Sequence, residues 1–319
     1  MDNLTSNNKK LLRYFKPKKY INFFKQYPRL QNLLKLKNRT TKSLLTKYYF
    51  NLVKKNKNLK NFFIDKSEEI NQINFKSDDI FNDSNIVFKS LAYNGIVILE
   101  DVLNLNEREN ILNFFKEIEN NNISSDWINR EIIDASAVKY KDNDNVKISY
   151  IQKKIEYLPN LLKVVNFVTN KVFGKKVNTV AEFFLHNCKD VEKLDIHEDT
   201  KFHLDRYLPC LKIVYNPDKI DISGAPFGFI KKTHKLNNKF MNSFILDSKK
   251  CFLNENQLNE ELKDNIMLST CPANSLIITF TNGLHKRNVF QKKNIRRSVF
   301  FQFTNNFNFF SLLNYKNYN

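Results

Sequence analysis

The sequence predicts a mainly β domain with helices packed against it (α+β), arranged as a sandwich or jelly roll. After Gly174 the chain changes to short β-rich runs separated by turn residues, a pattern typical of these folds. The sequence has no βαβ alternation and no glycine-rich phosphate loop, so we do not expect a nucleotide-binding fold. The predicted strands cover residues 177–185, 211–215, 227–230, 275–281 and 298–303.

Two helices and one further strand are predicted before Gly174. Asn94-Gly95 favours a turn with positive φ, and the β-branched run that follows it predicts a strand at 96–99. Residues 104–120 carry apolar side chains at helical spacing. Residues 158–173 form a second amphipathic pattern, and Gly174 is a suitable C-cap for it.

The positive charge is concentrated at the N-terminus. Residues 1–60 contain 17 lysines and arginines against one acid, a net charge of +16, so the other residues carry only +3 of the total +19. We interpret 1–60 as a basic helical extension, 61–90 as a linker and 91–319 as the main domain. The extension either packs on that domain as a collar with a lysine-rich outer face, or docks on an anionic membrane surface or nucleic acid.

The cysteines and the apolar runs indicate a cytoplasmic protein, with peripheral membrane contact through residues 1–60 as an alternative. No C-x-x-C spacing occurs, which favours reduced, buried thiols. No apolar run approaches the roughly 20 residues that a membrane-spanning helix needs. The four cysteines are Cys188, Cys210, Cys251 and Cys271.

His203, Asp205 and His285 are the candidate metal ligands. His203 and Asp205 are two residues apart, so on a strand both side chains point to the same side. His285 follows a predicted strand and can face them from across a jelly roll. Two histidines and one carboxylate can occupy one face of an octahedral iron(II) ion and leave the opposite face open. The sequence therefore predicts an iron site built from these three residues.

A second His-x-Asp pattern, His197-Glu198-Asp199, competes with this assignment. It lies in a polar stretch, whereas Phe202 and the apolar residues after Leu208 place His203 at the edge of a strand. Strand context and the distant His285 therefore favour His203 and Asp205.

Arg296 and Ser298 follow at a spacing that suits an anion clamp. Two-residue alternation places both on the same face of the last predicted strand. A guanidinium there can hold a carboxylate of a co-substrate in a two-pronged hydrogen bond. Arg297 is the alternative clamp, but it should point to the opposite face.

With these residues in place, the sequence resembles the phytanoyl-CoA dioxygenase family of iron(II)/2-oxoglutarate-dependent oxygenases over residues 91–303. The chain departs from the usual pattern at Gly224-Ala225, where the family has Asn-Gly, and at Lys231-Lys232-Thr233, where it has Pro-Gly-Ser. The segments that carry the resemblance are FHLDRYLPCLK from Phe202 to Lys212, Gly224-Ala225-Pro226-Phe227, Lys232-Thr233-His234-Lys235, and Gly283-Leu284-His285-Lys286-Arg287 followed by Arg296.

The resemblance implies a double-stranded β-helix of the cupin-like jelly-roll type. It also implies that His203, Asp205 and His285 bind Fe(II), and that Arg296, with Ser298 beside it, binds 2-oxoglutarate. The expected reaction is hydroxylation of an unactivated C–H bond of a small-molecule, lipid or sugar substrate by O2, with release of succinate and CO2. The alternatives are a non-catalytic jelly-roll binding protein and a protein that binds nucleic acid or a membrane through its basic extension. Lys212 could lie inward on the next strand and contact co-substrate or substrate, or it could be one more lysine of a lysine-rich chain. His234 and Arg287 could line the pocket, and Trp127 could line a lid or simply pack.

Overall fold

The computed structural model describes most of the chain after residue 49. The basic extension up to residue 49, Trp127 and the competing His197-Glu198-Asp199 motif lie outside the described residues. For 146–154 the backbone alone is described. The described ranges are 50–51, 53–120, 146–154, 158–174, 180–188, 200–205, 209–236, 253–292 and 294–304.

Helices and strands alternate irregularly before residue 174, and strands predominate after it. The helices are α1 (Lys57–Phe63), α2 (Asp79–Asn82), α3 (Ser84–Asn94), α4 (Leu105–Glu119), α5 (Pro159–Phe173) and α6 (Glu260–Asp264), with a 3-10 turn at Glu255–Gln257. The strands are β1 (Asn74–Lys76), β2 (Ile96–Glu100), β3 (Val146–Lys154), β4 (Val180–Cys188), β5 (Cys210–Asn216), β6 (Phe227–Ile230), β7 (Ile266–Leu268), β8 (Ser275–Phe280), β9 (His285–Arg287) and β10 (Asn294–Thr304).

The strands form two sheets. A large sheet has the strand order β1-β2-β8-β5-β10-β4-β3, and a small sheet has the order β7-β6-β9. Neighbours are antiparallel except for the β1–β2 pair. From β4 onward the chain passes repeatedly between the sheets, because β5, β8 and β10 lie in the large one and β6, β7 and β9 in the small one.

The large sheet has two apolar faces, since successive side chains of a strand point to opposite sides. On its outer face, Ile213 and Phe301 belong to the main core, where they pack with the helices. On its inner face, Val214 and Ile277 pack against Phe227 and Phe229 of the small sheet. The two sheets therefore enclose a second core, and polar side chains of the same inner face point into the space between them.

The two long predicted helices are confirmed as α4 and α5. The Asn104 side chain caps α4 by accepting a hydrogen bond from the Glu107 N–H at 2.9 Å. Helix α5 has Pro159 in its first turn and ends at Gly174, which adopts φ 70°. The turn at Asn94-Gly95 also has the predicted positive φ (82° at Gly95), but it ends helix α3.

Residues 61–90, which we interpreted as a linker, differ from that expectation. They contain the end of α1, strand β1, helix α2 and the start of α3, and Phe63, Ile80 and Val87 are fully buried in the main core. This segment is mixed in composition, with six acidic and three basic residues among its 30, and its buried apolar residues fall in short, separated groups. Among the described residues, no helix is both long and apolar enough to span a membrane.

Candidate metal centre

His203 lies directly opposite His285 of β9 and forms an isolated antiparallel bridge with it. The His203 N–H donates to the His285 carbonyl at 2.8 Å, and the His285 N–H donates to the His203 carbonyl at 3.0 Å. Residues that exchange both backbone hydrogen bonds are a directly facing pair whose side chains share one face. The two imidazole rings are accordingly 4.4 Å apart between centroids. This pairing extends the small sheet beyond β9 and joins residues that are 82 positions apart in the sequence.

Asp205 completes a group of three possible ligands. Its N–H donates to the Thr281 carbonyl at 3.0 Å, which fixes the chain two residues beyond His203. Its Oδ1 lies 3.4 Å from His285 Nε2 and 3.8 Å from His203 Nε2. The three ligand atoms lie within 4.8 Å of one another, so these side chains can hold a metal ion. When two metal–ligand bonds of about 2.1 Å meet at a right angle, the two ligand atoms are about 3 Å apart. Small movements of these side chains would bring their ligand atoms to that separation.

Both imidazoles are oriented for coordination through Nε2. His203 Nδ1 lies 2.8 Å from the Lys201 carbonyl oxygen, and His285 Nδ1 lies 3.0 Å from the Gly283 carbonyl oxygen. A carbonyl can only accept, so each Nδ1 carries a hydrogen, and the Nε2 atom of a neutral ring in this tautomer has a lone pair for a metal. Metal-binding histidines are commonly held in this way. The donor set therefore fits a divalent metal in its tautomers as well as in its residue types.

The electrostatics of the centre favour a neutral imidazole at His203 and an ionised carboxylate at Asp205. Burial, together with the nearby His285, lowers the pKa of His203 to about 4. Burial alone would raise the pKa of Asp205, but Lys212 and His285 outweigh it and hold that pKa well below its usual range. These are the protonation states that metal coordination requires.

Lys212 points inward from β5, as one of the two interpretations of this residue predicted. Its Nζ lies 2.9 Å from Asp205 Oδ2 in an ion pair between two largely buried side chains. Burial lowers the pKa of Lys212, but the Asp205 carboxylate outweighs it, so that pKa is raised. The lysine is therefore a charged neighbour of the predicted metal ligands.

Arg296 is buried on the inner face of β10. Its Nε donates to Ser298 Oγ at 3.3 Å, and its Nη1 donates to the Ala225 carbonyl. Ser298 Oγ in turn donates to Asn216 Oδ1 at 2.9 Å. A planar guanidinium can hold a carboxylate in two parallel hydrogen bonds, so Arg296 fits the predicted clamp of an anionic co-substrate.

The Arg296 contact connects the clamp to the predicted metal ligands. Ala225 lies just before β6, and the ring of Phe227 on β6 stacks on His285 with centroids 5.3 Å apart. One short segment, residues 225–227, therefore contacts both Arg296 and His285.

Arg297 lies on the outer face of β10, as strand alternation predicts. Its guanidinium pairs with Glu119 at 2.6 Å and with Asp218 at 2.9 Å. These contacts join β10 to helix α4 and to the turn after β5. Arg297 therefore anchors the sheet from outside and does not line the space between the sheets.

Two inward residues near Arg296 were missed in the sequence. His186 on β4 is the cross-strand partner of Arg296, and burial with the charges of Arg287 and Arg296 lowers its pKa well below the usual value. Asn216 on β5 supports Ser298. Strand alternation could have identified both. His186 lies two residues after Phe184, and Asn216 lies two residues after Val214, so each shares the face of an apolar residue on its strand.

The two other predicted pocket residues, Arg287 and His234, lie in different places. Arg287 lies two residues after His285 on β9, so it shares the face of the metal ligand. His234 is different: its ring stacks on Phe280 at 5.3 Å and meets Phe63 edge-on at 6.2 Å, inside the main core. The interpretation of His234 as a pocket-wall residue is therefore wrong. Cys210 and Cys271 are free and buried thiols, as predicted.

Comparison with known proteins gives only distant structural similarity. No family model matches the chain, and no curated protein matches it. The apo form of EctD from S. alaskensis is 13% identical, with a TM-score of 0.48, over 76% of this chain and 82% of that chain. The epimerase SnoN, in complex with Fe3+, alpha ketoglutarate and nogalamycin RO, is 11% identical, with a TM-score of 0.43, over 67% and 80%. AviO1 from Streptomyces viridochromogenes Tue57 is 10% identical, with a TM-score of 0.44, over 69% and 93%. At this distance, a functional assignment depends on the geometry of the centre.

Proposed function

We propose that this protein is a non-haem Fe(II)/2-oxoglutarate-dependent oxygenase. The observation that carries the proposal is the convergence of two Nε2 atoms and one carboxylate oxygen, from His203, His285 and Asp205, on one point. Two histidines and one carboxylate on one face of an ion are typical of iron(II) oxygenases. The buried guanidinium of Arg296 supports the same function, since 2-oxoglutarate carries a distal carboxylate.

The arrangement of strands supports a double-stranded β-helix of the cupin-like jelly-roll type. In such a fold the chain passes between two facing antiparallel sheets, and β4 to β10 follow this course. The predicted ligands then lie at the edge of the small sheet, and the clamp lies on the facing strand β10. This placement leaves the space between the sheets for a co-substrate.

Each residue has a distinct role in the proposed reaction. His203, Asp205 and His285 would hold iron(II), while Arg296, with Ser298 beside it, would bind the distal carboxylate of 2-oxoglutarate. When bound, iron(II), 2-oxoglutarate and O2 supply the oxidising power to hydroxylate a C–H bond, with release of succinate and CO2. The apolar side chains of Phe227, Val214 and Phe300 border the same space and limit the access of water. The retained carboxylate at Asp205 and the resemblance to phytanoyl-CoA dioxygenases favour hydroxylation.

Metal-dependent binding of 2-oxoglutarate is the direct test. Calorimetry of the full chain without oxygen should show 2-oxoglutarate binding in the presence of Mn(II) and not in its absence. Asp205→Ala should weaken Mn(II) binding by more than the roughly hundredfold that loss of a supporting residue costs. Asp264→Ala, at an exposed carboxylate, is the matched control and should leave both affinities unchanged. Equal 2-oxoglutarate affinity with and without metal would refute the proposal.

Formation of succinate separates the oxygenase from a non-catalytic binding protein. With Fe(II), 2-oxoglutarate and O2, the oxygenase should form succinate even before its substrate is known. Binding without succinate would instead favour the non-catalytic alternative.

The function of the basic extension is a separate proposal. Val53 and Leu59 are buried in the main core, while Lys54, Lys55 and Lys57 are exposed. This supports the collar alternative for the end of the extension. Flotation with anionic liposomes and salt-dependent RNA binding, each compared before and after deletion of residues 1–49, would reveal a docking role.

A further inference from the structure

We propose that Lys212 is a positioning residue that restricts Asp205 to a single metal-binding oxygen. This inference rests on the proposed function, because it concerns how many coordination positions remain for co-substrates. It assigns to Lys212 a task that is different from contact with substrate and from general charge balance.

The two carboxylate oxygens of Asp205 face different partners. Oδ1 faces the Nε2 atoms of His285 at 3.4 Å and His203 at 3.8 Å. Oδ2 faces Lys212 Nζ at 2.9 Å. A metal between the imidazoles would therefore meet Oδ1, while Oδ2 is held on the side of β5. The carboxylate is oriented from both ends before any metal arrives.

The position of Lys212 on β5 makes this contact persistent. Its chain neighbours Leu211 and Ile213 are buried in the main core, so the lysine side chain must point to the inner face. β5 is an interior strand, and Lys212 pairs with Gln302 of β10 and Thr279 of β8. A cation in this largely buried place needs a partner of opposite charge, so separation from Asp205 is unfavourable.

The number of ligating oxygens decides how many positions stay open. Carboxylates can bind a metal through one oxygen or through both. On an octahedral ion, two imidazoles and one oxygen leave three positions, which is the number that a chelating 2-oxoglutarate and O2 need. If Asp205 used both oxygens, two positions would remain and the co-substrates would compete for them.

The charge of Lys212 predicts different effects on metal affinity and on 2-oxoglutarate affinity when the lysine is removed. An ammonium group near a divalent ion repels it, so the lysine does not increase metal affinity by electrostatics. Its removal should therefore leave metal binding unchanged or tighter, while the binding of 2-oxoglutarate becomes weaker. A side chain that only stabilised the fold would affect both in the same direction.

The experiment compares Lys212→Met with Lys212→Arg and with Lys116→Met, a matched control at an exposed lysine of α4. Water-proton relaxation of the Mn(II)-loaded full chain counts the waters on the metal, and calorimetry without oxygen gives the affinities for Mn(II) and 2-oxoglutarate. We expect three waters for the wild type, Lys212→Arg and Lys116→Met, and two for Lys212→Met. Lys212→Met should bind Mn(II) at least as tightly as the wild type, and 2-oxoglutarate about ten- to hundredfold more weakly.

Three waters on the metal in a folded Lys212→Met variant would overturn the inference, and so would a parallel loss of Mn(II) affinity. If Lys212→Met does not fold, Lys212→Arg decides, because it keeps the charge and must keep three waters. If the wild type binds Mn(II) but not 2-oxoglutarate, the proposed function is wrong. The comparison of water counts still tests Lys212 in that case.

Discussion

Arg296 and Arg297 are adjacent in the sequence but lie on opposite faces of β10, so they form a matched pair for the predicted 2-oxoglutarate clamp. Arg296→Gln removes a buried positive charge whose guanidinium donates to Ser298 and to the Ala225 carbonyl. Two charge-assisted hydrogen bonds to a carboxylate contribute about 1.5–3 kcal/mol each. Their loss should weaken 2-oxoglutarate binding by about 3–6 kcal/mol, or roughly a hundred- to twenty-thousandfold in Kd.

Arg297→Gln should lower the stability of the fold and leave the binding of 2-oxoglutarate almost unchanged. It breaks ion pairs with Glu119 and Asp218 whose side chains are 21–33% exposed, so solvent screening limits their contribution. We expect a loss of about 1–2 kcal/mol in the free energy of unfolding and no more than about a twofold change in the Kd of 2-oxoglutarate. Calorimetry on the Mn(II)-loaded chain and urea denaturation measure the two quantities. Equal loss of 2-oxoglutarate affinity in both variants would refute the assignment of the faces.

Two further predictions concern stability, both measured by urea denaturation. Gly95 and Gly174 both end helices with positive φ, but a Cβ at Gly95 would lie 2.4 Å from His234 Nδ1, whereas at Gly174 it would meet only the Asn58 side chain at 3.2 Å. Gly174→Ala should cost about 1 kcal/mol and Gly95→Ala about 3 kcal/mol or more, and equal costs would contradict this reasoning. Burial and the charge of Lys235 lower the pKa of His234 to about 3, below its unfolded value of about 6.5. The stability that neutral His234 contributes is therefore complete above pH 6.5 and is lost as pH falls towards 3, by up to about 1.4 kcal/mol per unit. His234→Gln should flatten this slope, and an unchanged slope would exclude His234 as its source.

The fold after Gly174 was largely predictable, because its strands carry their own pattern. The predicted strands at 211–215, 227–230 and 275–281 correspond to β5, β6 and β8 within two residues at either end. Short strands such as β1 and β7 have three residues each and depend on their neighbours, so no local pattern could reveal them. Helix α3 was missed for another reason. Its buried residues Val87, Phe88, Leu91 and Ala92 recur at helical spacing, but the predicted boundary at residue 91 divided them.

For the candidate centre, the sequence predicted which side chains share a face within one strand, but not which strands pair. Alternation placed His203 beside Asp205 and separated Arg296 from Arg297, and both arrangements are present. Alternation could not show that His203 pairs with His285, because backbone pairing across 82 residues is a property of the whole fold. His234 was misplaced because its partner Phe63 comes from the segment interpreted as a linker.

The register of the outer core controls the chemistry of the inner face. On β10, Val299 and Phe301 pack into the main core, and this leaves Arg296, Ser298 and Phe300 on the inner side. A slip of one residue exchanges the two sets, because side chains alternate with a period of two. It would place Arg297 between the sheets and bury its charge without Glu119 and Asp218. The ion pairs of Arg297 therefore resist such a slip, and they fix the position of Arg296 from the opposite face of the sheet.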